Sequence, residues 1–373
     1  MSEAIAAKRI RAGRTAPPGT APPGLAYVGG TAPPGLAYVG GGEGHRRFGR
    51  AKLLKTQPAS SAWFVLCTSC MTQPRMVLRG DTSMVTRRTL RRHHLFRPDP
   101  AIAQLYLYTL GVCAKEFGMQ LHAFVLMSTH EHLVVTDTNK RLPDFLQRLH
   151  RLVALGTKVL RKWEGPVWDH ERSSVVRLMT ERAVIEKMAY VLANPVKAGL
   201  VQRAAHWPGV TVLPQELGRR TWKIKRPEVY FNADNSKWPD EVELTLTLPP
   251  TLQGLYTDTQ IRDAVALELT HQERLAQADV KKKGWRVLGS ERIRRVSPYR
   301  RAKSFEPIRG RNPTFAVGRG QRKAFFAAVA ELRAFRRAYR AALELWRAGL
   351  RQTVFPAGTW AMRCIHAAPV DTG

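Results

Sequence analysis

Between residues 83 and 193 the hydrophobic period switches between two and three-to-four, and the order of those switches restricts the fold sharply. Ser83–Arg88 (SMVTRR) alternates as a short strand. Over Pro100–Phe117, Ile102, Leu105, Tyr106, Leu110, Val112 and Cys113 recur at helical spacing. Two β-like runs follow, Leu121–Met127 (LHAFVLM) and His130–Thr136 (HEHLVVT), joined by Ser128-Thr129, which predicts a hairpin. Lys140–Trp163 carries Leu142, Phe145, Leu146, Leu149, Val153 and Leu160 on one stripe of a second helix. Ser174–Met179 (SVVRLM) reads as another strand, and Glu181–Ala193 as a third helix with Thr180 as its N-cap. Pro195 is expected to stop that helix, because the residue before a proline is pushed out of the helical region. Strand, helix, strand, strand, helix, strand with a trailing helix is the order of a ferredoxin-like split βαβ unit. The expected class is therefore α+β, an antiparallel sheet with helices packed on one face and the other face open.

The flanks differ in texture. Thr20–Gly30 (TAPPGLAYVGG) recurs unchanged at Thr31–Gly41. Two such short units cannot stack into a solenoid, and their Pro and Gly favour polyproline II and turns. Residues 1–70 are thus expected to be a disordered leader, with the folded protein beginning at Met71. A catalytic-type domain is expected over 71–215 and a basic, partly helical extension over 216–373. In that extension Glu241–Leu248 (EVELTLTL) alternates as a strand. Residues 321–348 predict a long helix with Phe325, Val329, Leu332, Tyr339, Leu343 and Trp346 on a seam that Arg336 interrupts.

Charge narrows the partner. The chain has 60 Lys plus Arg against 29 Asp plus Glu, a formal net charge of +31, and that surplus makes a polyanion the default partner. No apolar run reaches the length of a membrane span and none resembles a secretory signal, so no membrane partner is expected. Four cysteines are too few for a disulfide scaffold, and Cys67-Thr-Ser-Cys70 lacks a second ligand pair at zinc-finger distance. A reducing, cytoplasmic and nucleoid-associated location fits these counts.

Two constellations carry chemistry. His130-Glu131-His132 lies on the second hairpin strand, where residues i and i+2 project from one face. Two convergent imidazoles make half a divalent-metal site, although a pair of ordinary sheet histidines has the same spacing. Tyr190 and Asn194 stand four apart, on one face of the third helix. A tyrosine hydroxyl is a weak nucleophile at an ordinary pKa of about 10 and becomes competent beside a polarised phosphate. Asn194 offers an amide oxygen as a third ligand; the competing reading of Tyr190 is a core tyrosine.

Taken together, LHAFVLMSTHEHLVV (121–135), RLPDFLQRL (141–149), PVWDHER (166–172) and YVLANPVKAGLV (190–201) resemble the HUH-superfamily single-strand tyrosine transposases, especially the REP-associated branch. The resemblance spans about 71–208. It implies a ferredoxin-like core that cleaves and rejoins single-stranded or hairpin DNA in transposition. His130 and His132 match the paired metal ligands, Asn194 the helix-borne third ligand and Tyr190 the nucleophile that forms a 5′-phosphotyrosine. Mg²⁺ or Mn²⁺ is the implied cofactor, with no nucleotide required. The resemblance brings dimers in some members and monomers in others, so a homodimer stays open. One position departs: the residue between the histidines is usually bulky and apolar, and here it is Glu131. A bare carboxylate facing the helix-covered side is costly unless it is solvated or paired, or the site is degenerate.

Substrate contacts have their own candidates. Arg87, Arg88, Arg91, Arg92 and Arg97, with His93 and His94, cluster just after the first strand without an acid among them, and read as phosphate contacts. Lys281, Lys282, Lys283, Arg294, Arg295, Arg300 and Arg301 form a second basic block, with Trp285 and Tyr299 suited to stacking on unpaired bases. The rival readings are a catalytically inactive or domesticated nucleic-acid-binding protein of the same fold, which Glu131 favours, and an RNA-binding role, which the charge permits equally.

Overall fold

Thr82 to Arg88, with its valine, threonines and alternating pattern, forms the central strand of the sheet. The computed structural model describes residues 74–303 and 313–372. Their elements are β1 (Thr82–Arg88), α1 (Pro100–Phe117), β2 (Met119–Met127), β3 (His130–Asp137), α2 (Leu142–Arg161), β4 (Ser174–Leu178), α3 (Glu181–Lys197), β5 (Thr221–Lys225) and β6 (Glu241–Thr245). After these come α4 (Pro250–Gln253), α5 (Asp258–Lys282), α6 (Ser290–Arg295), β7 (Phe315–Ala316), α7 (Arg322–Arg347) and α8 (Trp360–His366). The repeats, the Met71 start and the Cys67/Cys70 pair lie outside the described residues.

The main sheet has the order β2-β3-β1-β4-β7. Its first four strands are antiparallel, as the split βαβ order requires, and β7 adds a short parallel edge to β4. The chain is a mixed α+β protein with a mostly antiparallel sheet flanked by helices. Helices α1 and α2 pack together closely: a Cβ at Gly156 would stand 2.4 Å from Leu105 Cδ1, so any larger residue there would force the Leu105 side chain to move. Asp99 starts α1 by accepting from Ile102 N at 3.0 Å, and Gly118 ends it at φ 68°, the left-handed conformation a glycine adopts without steric cost.

The face expected to stay open is covered. Alternate residues of β3 meet different helices: Glu131 faces α1 and α2, whereas His132 faces Tyr190 on α3. Helix α5 then packs along α3, so one continuous hydrophobic core runs from Met84 to Ile293. The second, two-stranded sheet of β5 and β6 lies over α1, with Val242 within 3.1 Å of where a Gly111 Cβ would be.

Two element ends and one helix seam differ from the sequence reading, each for a local reason. Helix α3 passes through Pro195 to Lys197. Proline withholds the N–H that Val191 O would receive, and the preceding side chain supplies donors in its place. Asn194 Nδ2 donates to Tyr190 O at 2.7 Å and to Val191 O at 3.4 Å. The strand expected over 241–248 stops at Thr245, where β5 begins, and Thr247 N donates instead to Leu121 O at 2.8 Å. On α7 the buried residues are Ala328, Phe335 and Ala342, so Phe335 rather than Arg336 continues the seam. Phe325 is left 45% exposed.

Candidate active site

The β2–β3 hairpin turns at Ser128-Thr129 and sets His130 and His132 on one face, as alternation requires. Their rings are 4.8 Å apart and perpendicular. Each Nδ1 meets a threonine hydroxyl, Thr129 Oγ1 at 3.0 Å for His130 and Thr86 Oγ1 at 2.7 Å for His132. Thr86 is in position because it is the register partner of His132 on β1. Nδ1–H tautomers donating to these hydroxyls leave both Nε2 lone pairs available. His132 Nε2 is buried without a hydrogen-bond partner, and the Asn194 side chain lies beside it.

Both imidazoles are held neutral. Burial, then the cations of Arg88 and Arg92, push His130 down to about 3. Burial, then His130, Arg88 and Lys197, hold His132 well below the usual histidine range. Neutral imidazole is the form that ligates a metal. The donor set thus fits a divalent ion held by two imidazoles and an amide oxygen, Asn194 Nδ2 being occupied by backbone carbonyls. Among the described residues no group of three His, Cys, Asp or Glu side chains gathers as a metal site; the candidate third donor beside the two histidines is the Asn194 amide.

Tyr190 sits half-buried on α3 with its ring 5.9 Å from that of His132, edge-on at 87°. Two lysines missed in the sequence flank it. Lys197 Nζ stands 3.9 Å from the Tyr190 ring centroid and Lys187 Nζ 5.2 Å from it. Lys197 is pushed down to about 8, chiefly by burial and then by Lys187. Its ammonium donates to Gln272 Oε1 on α5 at 2.6 Å. The signal was present: positions 187, 190, 194 and 197 recur at three and four on one helical face.

Glu131 is fully buried on the opposite face, and it is paired. Its Oε1 accepts from His150 Nε2. His150 Nδ1 in turn accepts from Arg87 Nη1 at 2.9 Å, which fixes the tautomer. The Tyr106 hydroxyl lies beside the same carboxylate; burial and then Glu131 raise it well above the usual tyrosine range. Arg87 therefore belongs to this buried cluster, with its guanidinium 5.2 Å over the Trp168 ring, and does not join the histidine face. Consecutive strand residues point to opposite faces, so Arg87 and Arg88 separate: Arg88 is exposed across the ladder from His130.

The remaining basic candidates divide. Arg91 is exposed and Arg92 half-buried, both at positive φ (48° and 57°) in the turn after β1. Arg97 is an internal partner of Asp99 at 3.1 Å. Arg300 and Arg301 are brought against the first cluster: His94 N donates to Arg300 O at 2.9 Å and Ala302 N to Arg92 O at 3.0 Å. Lys281, Lys282 and Lys283 end α5 in the open, with Lys283 paired to Asp279 at 2.6 Å and 4.9 Å over the ring of Trp285. Trp285 packs by Gly199, just beyond α3. Arg295 lies 3.7 Å from Glu291, and Arg294 lines a cleft with Trp222 and Arg220, outside the histidine–tyrosine cluster. No helix among the described residues is long and apolar enough to cross a membrane.

No family model and no curated protein matches the chain. Solved structures that match include a REP-associated tyrosine transposase bound to a REP hairpin, at 16% identity and a TM-score of 0.34, over 45% of this chain and 97% of that one. Another is a transposase, described as such without established activity, from Deinococcus radiodurans, at 20% identity and a TM-score of 0.24, over 32% of this chain and 95% of that one.

Proposed function

We propose that the chain is a transposase-type enzyme of the HUH tyrosine kind, which nicks and rejoins single-stranded DNA through Tyr190. One juxtaposition supports this reading: two neutral imidazoles on one strand face, an orphaned His132 Nε2 beside Asn194, and the Tyr190 ring 5.9 Å away. His130, His132 and Asn194 would hold a divalent ion, Mg²⁺ or Mn²⁺, whose chemistry when bound is Lewis-acid polarisation of a phosphate. Tyr190 Oη forms a bond to phosphorus while the bond from phosphorus to the 3′-oxygen breaks, the proton lost by the phenol being balanced by the one the 3′-oxygen takes up. The products are a 5′-phosphotyrosine and a free 3′-hydroxyl, and rejoining runs the same exchange backwards on a new end. The ester bond is conserved, so no nucleotide cofactor enters.

The other residues have defined tasks. Lys187 and Lys197 put positive charge beside the tyrosine, where charge on the phosphate oxygens grows. Gln272 orients Lys197 from α5, so the extension over 216–373 supports the chemistry carried by 71–215. Glu131 does not argue for degeneracy, since its buried charge has a partner in His150 on the far face. A short single-stranded hairpin oligonucleotide with Mn²⁺ or Mg²⁺ tests the reading. It should give a covalent adduct that Tyr190→Phe abolishes; binding with metal present and no adduct leaves the inactive nucleic-acid-binding protein as the answer.

A further inference from the structure

Arg301 and His93 are 208 residues apart in sequence, yet Arg301 Nε donates to His93 Nε2 at 3.2 Å. The two segments form an antiparallel bridge, fixed by the backbone bonds of His94 and Ala302. A run of three aromatic rings stands on this bridge. His93 lies 4.9 Å from Trp163, and Trp163 stacks at 6.2 Å and 23° on Tyr299. Every polar edge of the run is occupied: His93 Nδ1–H donates to Leu90 O, Trp163 Nε1 to Pro166 O and Tyr299 Oη to Arg161 O. The rings are thus fixed in direction with their hydrogen bonds satisfied; His93 is buried beneath, and the half-buried Trp163 and the exposed Tyr299 still offer apolar ring surface. Tyr299, at the outer end, is 52% exposed. Exposed Arg300 and Arg301 follow it directly in the chain, and exposed Arg91 lies in the segment on the other side of the His93–Arg301 bridge.

The bridge is tied to the proposed cleavage site. Thr89 N donates to Thr129 O at 2.8 Å and Phe96 N to Ser128 O at 3.1 Å, so residues 89–96 are bonded to the hairpin turn that carries His130. Fixed aromatic rings among arginines match one ligand chemistry, a polyanion whose planar groups are free to stack. In a duplex the bases stack on one another and hide their faces, leaving the rings nothing to bind. We infer that the His93–Trp163–Tyr299 run and its arginines hold an unpaired DNA strand beside the cleavage site, with a base on Tyr299 and phosphates on Arg91, Arg300 and Arg301. The choice of DNA rests on the proposed function; the choice of a single strand rests on the aromatic run.

Full-length Tyr190→Phe protein in EDTA binds without cutting, so the measurement does not depend on chemistry. Fluorescence anisotropy with labelled oligo(dT), oligo(U) and a DNA duplex at several salt concentrations reads out the surface. Tyr299→Ala should weaken oligo(dT) binding about tenfold at every salt concentration, with duplex affinity unchanged. Tyr299→Phe, which keeps the ring and gives up only the bond to Arg161 O, should stay within about twofold, and the unchanged duplex affinity of Tyr299→Ala excludes misfolding as the cause. Arg300→Gln should flatten the salt dependence by about 0.7 in slope. The inference is overturned if Tyr299→Ala leaves oligo(dT) binding intact or weakens the duplex equally, or if oligo(U) binds about tenfold tighter than oligo(dT). A surface that behaves as described in a protein forming no adduct with cleavable DNA would sink the enzymatic reading alone.

Discussion

His150→Leu isolates the device that lets this chain carry a carboxylate between its two histidines. Glu131 has no exposed surface; its Oε1 takes the His150 bond, and the Tyr106 hydroxyl lies beside the same carboxylate. With His150 Nδ1 accepting from Arg87, this contact is a hydrogen bond from a neutral imidazole to a carboxylate, and losing such a donor costs about 1.5–3 kcal/mol. Arg87 directly across the ladder and the Tyr106 hydroxyl still face the carboxylate, which puts the cost near the middle of that range, about 2 kcal/mol. Replacing both residues, as Glu131→Leu with His150→Leu, should return stability to within about 1 kcal/mol of the parent. Arg87 is only half-buried and keeps access to water in that variant. Urea unfolding midpoints at constant slope measure all three proteins. A single substitution costing under about 1 kcal/mol, or a double costing the sum of its parts, refutes the argument.

Two further outcomes follow from buried polar groups. His122 bonds Thr136 Oγ1 at 2.8 Å and Thr247 O at 3.0 Å, and burial pushes its pKa down to about 4. Below about pH 6.5 the unfolded chain takes a proton that the folded one refuses, so its share of stability falls by about 3 kcal/mol towards pH 4. Urea midpoints from pH 7 to 4 should drop less steeply in His122→Gln than in the parent; equal slopes contradict this. Asn194→Ala removes the donors that serve Tyr190 O and Val191 O beside Pro195, and should cost about 1–2 kcal/mol by denaturant unfolding even with no metal present.

What the sequence made legible was whatever repeats locally. Helix α1 begins and ends where its apolar spacing says, and the His130/His132 pair follows from strand alternation alone. The same alternation separates Arg87 from Arg88, a distinction that charge clustering obscures. Pro195 misleads because a side-chain donor one residue earlier stands in for the missing backbone one, and no propensity encodes that substitution. Contacts across long separations were out of reach: Glu131 with His150, Lys197 with Gln272, and His93 with Arg301 have no periodic signature. Charge and aromatic content pointed to residues 281–303 as a block, while the folded chain separates it, with Arg300 and Arg301 beside the hairpin turn and Lys281–Lys283 at the end of α5.

The central claim is a covalent one, and peptide mass spectrometry addresses it directly. After incubation with a hairpin oligonucleotide and Mn²⁺, then nuclease and protease digestion, the peptide containing Tyr190 should carry a nucleotide on the tyrosine oxygen. That mass should vanish in Tyr190→Phe and in the His130→Ala, His132→Ala double variant, with oligonucleotide binding retained. A cleaved oligonucleotide with Tyr190 unmodified, or an adduct on another residue, contradicts the account.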